Sequence, residues 1–558
     1  MKHWPTRLTS LDRFLNRFTR LRPGEGGSVV AFFTYALLMM VSYYILKTIR
    51  EPLLLASSSA EMKSYAYAVT ALILLFLVPL YGIAFRHLGK QQLTRYVSLF
   101  FLVNLVVFFG LGRVGVDIGF AYYVWVGIFN VLITAQFWAF AADSYNVKSG
   151  KRLFPLIMIG ATLGGLVAPW MSGALFPITG PWPLLTMAMV LLAFTIPCVH
   201  WARVSVPPGS RSQHSAEDDK PDGGALGGIT LVLTDRYLLL VAMLIVLLNW
   251  VNTTGEYILA EMVIRYADSA VAAGSELGKA DLIAAFYGTF FFTVNLLTLV
   301  FQVFLVARVI RWIGVRGAVL VLPLIAILGY GLVAFIPIFS LFRLVKIMEN
   351  STDYSLMNTT RHALYLPLSA AQKYEGKTTI EAFFWRFGDL GQAGMIYVGL
   401  NWFQFGVSQF ALLNVVLSVI WLAVAWQVGK GYRSKQEELG ENLPPRLHHR
   451  PRDRFLPPGE AFDFALSGNT FVSPYEGDVM TFEVEQEGGG ELPGWLEFDA
   501  EGLAFRGVTP GDIGEQTVLT IWAMDFDGAW AEGRLVLRHQ QDSSLSGILP
   551  GTRKHNDH

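Results

Sequence analysis

The feature that most constrains this chain is a succession of apolar runs, each close to the length that crosses a bilayer. A hydrocarbon core about 30 Å thick is spanned by about 20 apolar residues in an α-helix. The helix is the natural solution because it satisfies its own backbone where no water can. One set of runs lies near 28–49, 65–84, 96–112, 119–141, 153–175 and 182–201. A second set lies near 237–258, 282–307, 317–338, 340–364, 379–400 and 406–428. Together they predict an all-α polytopic membrane protein with about twelve transmembrane helices. Only 15% of the 558 residues are charged, against about 25% in a soluble domain, which disfavours a cytosolic enzyme. The 43 basic and 43 acidic residues balance, which argues against a nucleic-acid binder. Cys198 is the only cysteine, so no intrachain disulfide forms.

Charge on the connections predicts orientation. A basic stretch over 1–27 holds Arg13, Arg17, Arg20 and Arg22, and alternate connections carry Arg86, Lys90 and Arg95, then Lys148, Lys151 and Arg152, then Arg308, Arg311 and Arg316. Lys430, Arg433 and Lys435 follow the last run. The reading is a multi-pass protein of the bacterial inner membrane with both termini cytoplasmic. The first apolar run is expected to stay, since no small-residue cleavage site follows a short core. A polar stretch, Pro207 to Gly228, falls between the two sets. The layout is then a first six-helix half at 28–202, a linker at 203–236 and a second half at 237–430. Two such halves around a midplane site describe a major-facilitator-like secondary transporter. Gly160, Gly164 and Ala168 make a small-residue face in the fifth run, read first as helix packing and second as a gate.

After a further linker at 431–457 the pattern changes to period-two alternation with frequent turn residues. Strand-like runs at 461–466, 480–485, 495–498, 517–522 and 534–538 predict a β-sandwich over 458–540, with a tail at 541–558. Leu492-Pro493-Gly494-Trp495-Leu496-Glu497-Phe498-Asp499 and the following Leu503-Ala504-Phe505-Arg506-Gly507 resemble the Ig- or cadherin-like domain family. Some such domains bind calcium, for which Glu476, Asp478, Asp525 and Asp527 are the candidate ligands; the plainer reading makes them turn residues.

Charges inside spans are costly and default to function. Lys47, Arg50 and Glu51 share a face at the end of the first run, and Pro52 is expected to open the helix there. Snorkelling to the outer interface is the alternative. Arg343, Lys346, Glu349, Asn350, Asp353 and Arg361 recur at three- and four-residue spacing in the tenth run. At about 100° per residue they form a one-sided stripe, which lines water or pairs with another helix. Arg386 and Asp389, or Glu256 and Glu261, are the partners expected to answer it. The cations Lys47, Arg50, Lys346, Arg361 and Arg386 suit an anionic, phosphorylated solute.

Three segments resemble the ATP/ADP translocase family of bacteria and plastids. Ile45-Leu46-Lys47-Thr48-Ile49-Arg50-Glu51 stands where that family has Ile-Leu-Arg-x-x-Lys-Asp. Phe137-Trp138-Ala139-Phe140-Ala141 and Lys151-Arg152-Leu153-Phe154-Pro155-Leu156 follow its second pattern. The third runs from Tyr354-Ser355-Leu356-Met357-Asn358-Thr359-Thr360-Arg361 through Tyr365-Leu366-Pro367-Leu368 to Gly376-Lys377-Thr378-Thr379-Ile380-Glu381. The resemblance covers 28–430 and implies a nucleotide transporter in which Arg50 takes the place of a substrate-contacting lysine. It also implies departures: Val126 and Asn252 stand where acids are expected, and Asp389 where a lysine is.

The substrate-binding set expected on these grounds is Lys47, Arg50, Glu51, Asn252, Lys346, Asp353, Asn358, Arg361, Arg386 and Asp389. The partners are the bilayer and a small anionic solute, ATP/ADP included, with no nucleic acid, cofactor or metal. A transport-inactive scaffold or sensor working through a protein partner of the C-terminal domain is the second reading. An enzyme is not expected, since the chain has no Walker loop, no Cys/His metal spacing and no nucleophile motif.

Overall fold

A computed structural model describes residues 9–16, 21–87, 90–145, 147–207, 210, 225–369, 372–438, 445–472, 480–488, 490–524 and 530–539. The four candidate calcium ligands and most of the linker after Pro207 lie outside the described residues. The chain divides into two units, Met1–Arg433 and Ser434–His558.

In the first unit the short α1 (Ser10–Leu15) precedes α2 (Glu25–Leu55), α3 (Ala60–His87), α4 (Lys90–Arg113), α5 (Gly119–Ser144), α6 (Val147–Thr179) and α7 (Pro181–Ser205). After the linker come α8 (Ala225–Thr234), α9 (Arg236–Ala272), α10 (Lys279–Phe304) and α11 (Val306–Phe335). The tenth run follows as α12 (Phe339–Thr352), a π-helical segment Asp353–Met357 and α13 (Asn358–Ala363). The eleventh run is reached through π-helical Gln372–Gly376, α14 (Lys377–Thr379), π-helical Ile380–Phe384 and α15 (Trp385–Asn401), and α16 (Val407–Glu438) closes the unit.

Among the described residues ten helices, against the twelve expected, are long and apolar enough to cross a membrane. The runs expected near 340–364 and 379–400 are helical, but each is divided into α and π segments and carries the densest charge. Neither therefore qualifies by length and composition alone. The ten expose what a water-soluble fold would hide: only 17% of Tyr96–Arg113 is buried, and Phe76, Leu328 and Phe335 are almost fully exposed. Such belts require lipid, so this is a multi-pass membrane protein.

Helix α2 runs straight through Pro52 rather than opening there. Glu51, the residue before it, is fixed in helical geometry by the buried bonds described below. Asp12 organises the approach to α2. Its carboxylate accepts from Thr9 N at 2.9 Å, Gly24 N at 3.0 Å and Gly26 N at 2.7 Å, which satisfies donors that a helix start leaves orphaned. Glu25, fully buried, accepts two hydrogen bonds from Arg152 at 2.7 and 2.8 Å and one from Ser210 at 2.7 Å. The start of the linker is thereby tied to α2 and α6.

The small-residue face in α6 is a packing surface: a Cβ at Gly160 would meet Phe33 O at 2.5 Å, and one at Gly164 would meet Met40 Cβ at 2.9 Å. A second small stripe on α6 joins the two halves. A Cβ at Gly173 would lie 2.7 Å from Gly288 Cα of α10, and Asn295 donates to Gly165 O at 2.6 Å. Tyr44 of α2 donates to Asn295 at 3.2 Å, and Gln392 of α15 to Ser64 of α3 at 2.8 Å. Of these ties, Gln392–Ser64 lies near the turn from α2 to α3, while Tyr44, Gly165 and Asn295 meet mid-helix.

The second unit holds nine strands among the described residues: β1 (Arg446–Leu447), β2 (Arg454–Phe455), β3 (Ala461–Ala465), β4 (Phe471–Val472), β5 (Thr481–Gln486), β6 (Leu496–Asp499), β7 (Ala504–Val508), β8 (Gln516–Met524) and β9 (Trp530–Arg538). They form sheets ordered β2-β9-β8-β5, β3-β7-β6 and β1-β4. All pairs are antiparallel except β2 with β9. Alternate residues Leu519, Ile521 and Ala523 of β8 and Leu535 and Leu537 of β9 point inward onto Phe471, Leu496 and Phe505, the period-two pattern of a half-buried sheet. β1 and β2 precede residue 458, so pairing begins within the stretch that sequence alone reads as linker.

Candidate functional site

Where the halves meet, α2, α3, α9 and α12 bring six charged side chains into one alternating chain. Arg50 Nε lies 3.1 Å from Glu51 Oε1, and Glu51 Oε2 lies 3.1 Å from Lys63 Nζ. Lys63 crosses to the second half and meets Glu256 at 3.2 Å. Glu256 approaches Lys346 at 3.7 Å, and Lys346 pairs with Glu349 at 3.2 Å. Lys63 and Lys346 are fully buried. A lone buried ammonium is strongly disfavoured, and alternation of sign is what makes this burial tolerable.

Neutral donors and acceptors fill the remaining valences. Lys346 donates to Asn252 Oδ1 at 2.6 Å and to Asn252 O at 3.1 Å, while Asn252 Nδ2 donates to Asp353 at 3.3 Å. Asn350 donates to Glu256 at 3.2 Å, and Tyr330 donates to Glu349 at 2.6 Å. Tyr123 donates to Glu51 at 3.3 Å and Lys63 to Tyr287 Oη at 3.3 Å. The Arg50 guanidinium lies 4.2 Å from the centre of the Tyr123 ring, a cation–π contact.

Five of the ten expected residues therefore meet here: Arg50, Glu51, Asn252, Lys346 and Asp353. Lys47 sits apart, its ammonium 4.3 Å from the Phe291 ring and 5.4 Å from that of Tyr44; it has no ion pair or hydrogen bond with a described residue. Asn358 and Arg361 bond to each other at 3.0 Å, with Arg361 4.9 Å from the Trp385 ring. Five and eight residues beyond Asp353, they lie roughly 7 and 12 Å farther along the helical run. Arg386 pairs loosely with Asp389 at 3.8 Å, and Asp389 is held by Asn249 at 2.8 Å. The Nε atoms of Arg361 and Arg386 are buried without a partner among the described residues.

Of the partners expected for the stripe, Glu256 answers it, whereas Glu261 pairs outside with Arg265 at 2.9 Å. Arg386 and Asp389 answer each other. Arg343 leaves the stripe and donates to Thr289 at 3.3 Å. Sequence reasoning misses Lys63, because hydropathy starts that run at residue 65 whereas α3 begins at Ala60. The signal available was Lys63, Tyr67 and Thr70 at three- and four-residue spacing. Tyr354, 40% exposed, lies near Glu256, Asp353 and Tyr44 beside the network. Among the described residues no cluster of His, Cys, Asp and Glu fits a metal ion.

Residues 339–432 match the model of the TLC ATP/ADP transporter family, and 444–531 match that of the "Putative Ig domain". The chain is 25% identical over 364 residues to ADP,ATP carrier protein 1 of Chlamydia trachomatis, covering 56% of this chain and 65% of that protein. To ADP,ATP carrier protein 1 of Chlamydia muridarum it is 24% identical over 360 residues, with the same coverage. It thus spans just under two thirds of the length of these relatives. A POT family transporter solved with 5-aminolevulinic acid superposes with a TM-score of 0.55 at 11% identity, over 72% of this chain and 96% of that one. The nucleoside transporter NupG superposes at 0.52 and 11%, over 73% and 98%. At such identity these structures show the fold alone. The chain is thus similar to the TLC ATP/ADP transporter family over residues 339–432 and to an Ig domain over 444–531, with a major-facilitator-like helical fold in its membrane part.

Proposed function

We propose that the protein is a secondary transporter of the ATP/ADP translocase type, moving a nucleotide or another anionic phosphorylated metabolite by alternating access between its halves. It is a carrier and not a catalyst, and we place it in a bacterial inner membrane with both termini cytoplasmic. The observation that carries the reading is the buried charge chain from Arg50 to Glu349, which ties the halves through one contact, Lys63 to Glu256. Lys47, Arg361 and Arg386 lie outside that chain, and no carboxylate forms an ion pair with the first two among the described residues.

Phosphate oxygens entering this space would take charge-assisted hydrogen bonds from Arg361 and Arg386 and the charge of Lys47. They would also compete with Glu256 for Lys63 and Lys346. Cargo binding then weakens the tie that holds one end of the cleft shut, which couples occupancy to opening. The departures at Val126, Asn252 and Asp389 bear on cargo. Asn252 relays Lys346 to Asp353 without adding charge, and Asp389 neutralises Arg386 in part, so the site offers less net positive charge than three free cations would.

The test is uptake by proteoliposomes preloaded with unlabelled solute, across nucleoside mono-, di- and triphosphates and sugar phosphates. Exchange with at least one of them is expected, and Arg361→Ala or Lys47→Ala should lower it at least about tenfold, the effect of losing roughly 1.4 kcal/mol of binding. No flux across the whole panel from folded protein would sink the proposal. Release of inorganic phosphate from ATP in the same vesicles would contradict the carrier reading.

A further inference from the structure

We propose that the second half carries a specific site for one anionic phospholipid, between the start of the α11 span and the end of α16. A cavity of ≈ 410 Å³ lies there, lined by Arg316, Gly317, Leu320, Trp426, Gly429, Lys430 and Arg433. The two helices touch at Gly429, where a Cβ would come within 3.2 Å of Arg316 Cβ, and the cavity opens beside that contact. The cavity surface itself is almost wholly apolar, three of the residues around it are cationic, and Lys430 and Arg316 form no ion pair with a described residue. The site is remote from the network between the halves, and it rests on the chain being a membrane protein, not on any choice of cargo.

The shape around the cavity selects a lipid over a soluble anion. From Arg316, α11 continues with Leu320, Leu324 and Leu328 at four-residue spacing, one stripe of a helix. Leu324 and Leu328 are exposed, so an apolar track leads away from the cationic end toward the bilayer interior. A phosphodiester at Arg316 and Lys430 with an acyl chain along that track matches an amphiphile end to end.

Backbone geometry marks the headgroup level independently. Gly314 adopts φ 66°, ψ 176° and breaks α11 into a short leading segment and the span proper. The leading segment presents Trp312, 73% exposed, and Trp426 on α16 is 57% exposed with Lys430 5.5 Å from its ring. Exposed tryptophans near the ends of spans are interfacial anchors, where an amphipathic ring is wet on one side. Basic pockets between helices at that level bind acidic headgroups.

The test is native mass spectrometry of the full chain released from detergent with dioleoyl phosphatidylglycerol or dioleoyl phosphatidylcholine added at equal concentration. One retained phosphatidylglycerol is expected. The double variant Arg316→Gln/Lys430→Gln should lose it about tenfold or more, from roughly one headgroup-level charge interaction at each position. Arg316→Lys/Lys430→Arg, which keeps both charges, should retain it. Equal retention of phosphatidylcholine, or unchanged retention by the Gln variant, would overturn the site. Displacement of the lipid by millimolar inorganic phosphate would reduce it to a soluble-anion site and also overturn the proposal.

Discussion

Lys63 is the residue on which the joint between the halves turns. Its ammonium faces Glu51, Glu256 and the Tyr287 hydroxyl at once, so Lys63→Met takes one cation from each of two carboxylates and leaves Glu51 to Arg50 and Glu256 to Lys346. Loss of one partner from a buried pair costs about 3–5 kcal/mol, and thermal unfolding in detergent should show a correspondingly large drop. Lys63→Arg keeps the charge and should fall much less; equal loss in both would mean that shape, not charge, sets the cost. Asp12 gives a second residue-scale prediction, in pH. Burial pushes its carboxyl up, but the backbone N–H groups of Gly24, Thr9 and Gly26 outweigh that and hold it below the usual range. A depressed folded value means that stabilisation is complete above the unfolded value near 3.8 and lost as pH falls below it. Amide exchange at Gly24 and Gly26 should therefore stay protected from pH 7 down to about 4 and rise only under stronger acid. Protection lost between pH 5 and 7 would contradict this sign.

At the scale of elements, the sequence announced most helices and concealed how they meet. Apolar runs of spanning length have few alternatives, so the ten long helices were legible from hydropathy. The tenth and eleventh were read from hydropathy as well, the tenth without a clean peak, because buried polar groups lower hydropathy. Spacing placed Lys346, Glu349, Asn350 and Asp353 on one face correctly, since rotation about a helix follows from residue number. It said nothing of their partners, which are set by the packing of remote helices: Glu256 and Glu261, five residues apart on α9, had equal claims on paper. The Gly173–Gly288 contact is the sharpest test of the α6–α10 joint. Gly288→Leu places atoms where the Cα of Gly173 now sits, 2.4 Å from the new Cβ. It should destabilise by about 1–3 kcal/mol through overpacking, read as a lower unfolding midpoint. Gly394→Leu on α15, where a Cβ meets nothing, is the control that should leave it unchanged.

For the whole molecule, the arrangement of ties makes a directional prediction. Gln392 and Ser64 bond across the halves near the end that joins α2 to α3. In a chain freed of Cys198, a short thiol-reactive bridge between Ser64→Cys and Gln392→Cys should stop exchange in proteoliposomes, and reductant should restore it. Continued flux through the bridged protein would exclude separation of the halves there. The β unit was legible through its alternation, since a half-buried sheet needs one apolar residue in two. The two-residue strands β1, β2 and β4 were not, being too short to show any period.

The charge chain also has an electrical meaning. Arg50, Lys63 and Lys346 are matched by Glu51, Glu256 and Glu349, so these six side chains sum to zero, and Asp353, reached through Asn252, adds one acid beside them. On the transport reading, moving those six together through the bilayer would do no net work against a membrane voltage. That voltage, worth about 2.3 kcal/mol per elementary charge per 100 mV, then acts on whatever unbalanced charge the cargo brings. On the transport reading, a swap of equally charged solutes would be silent to an electrode, and a swap of unequal ones would carry current whose direction reports which solute moved inward.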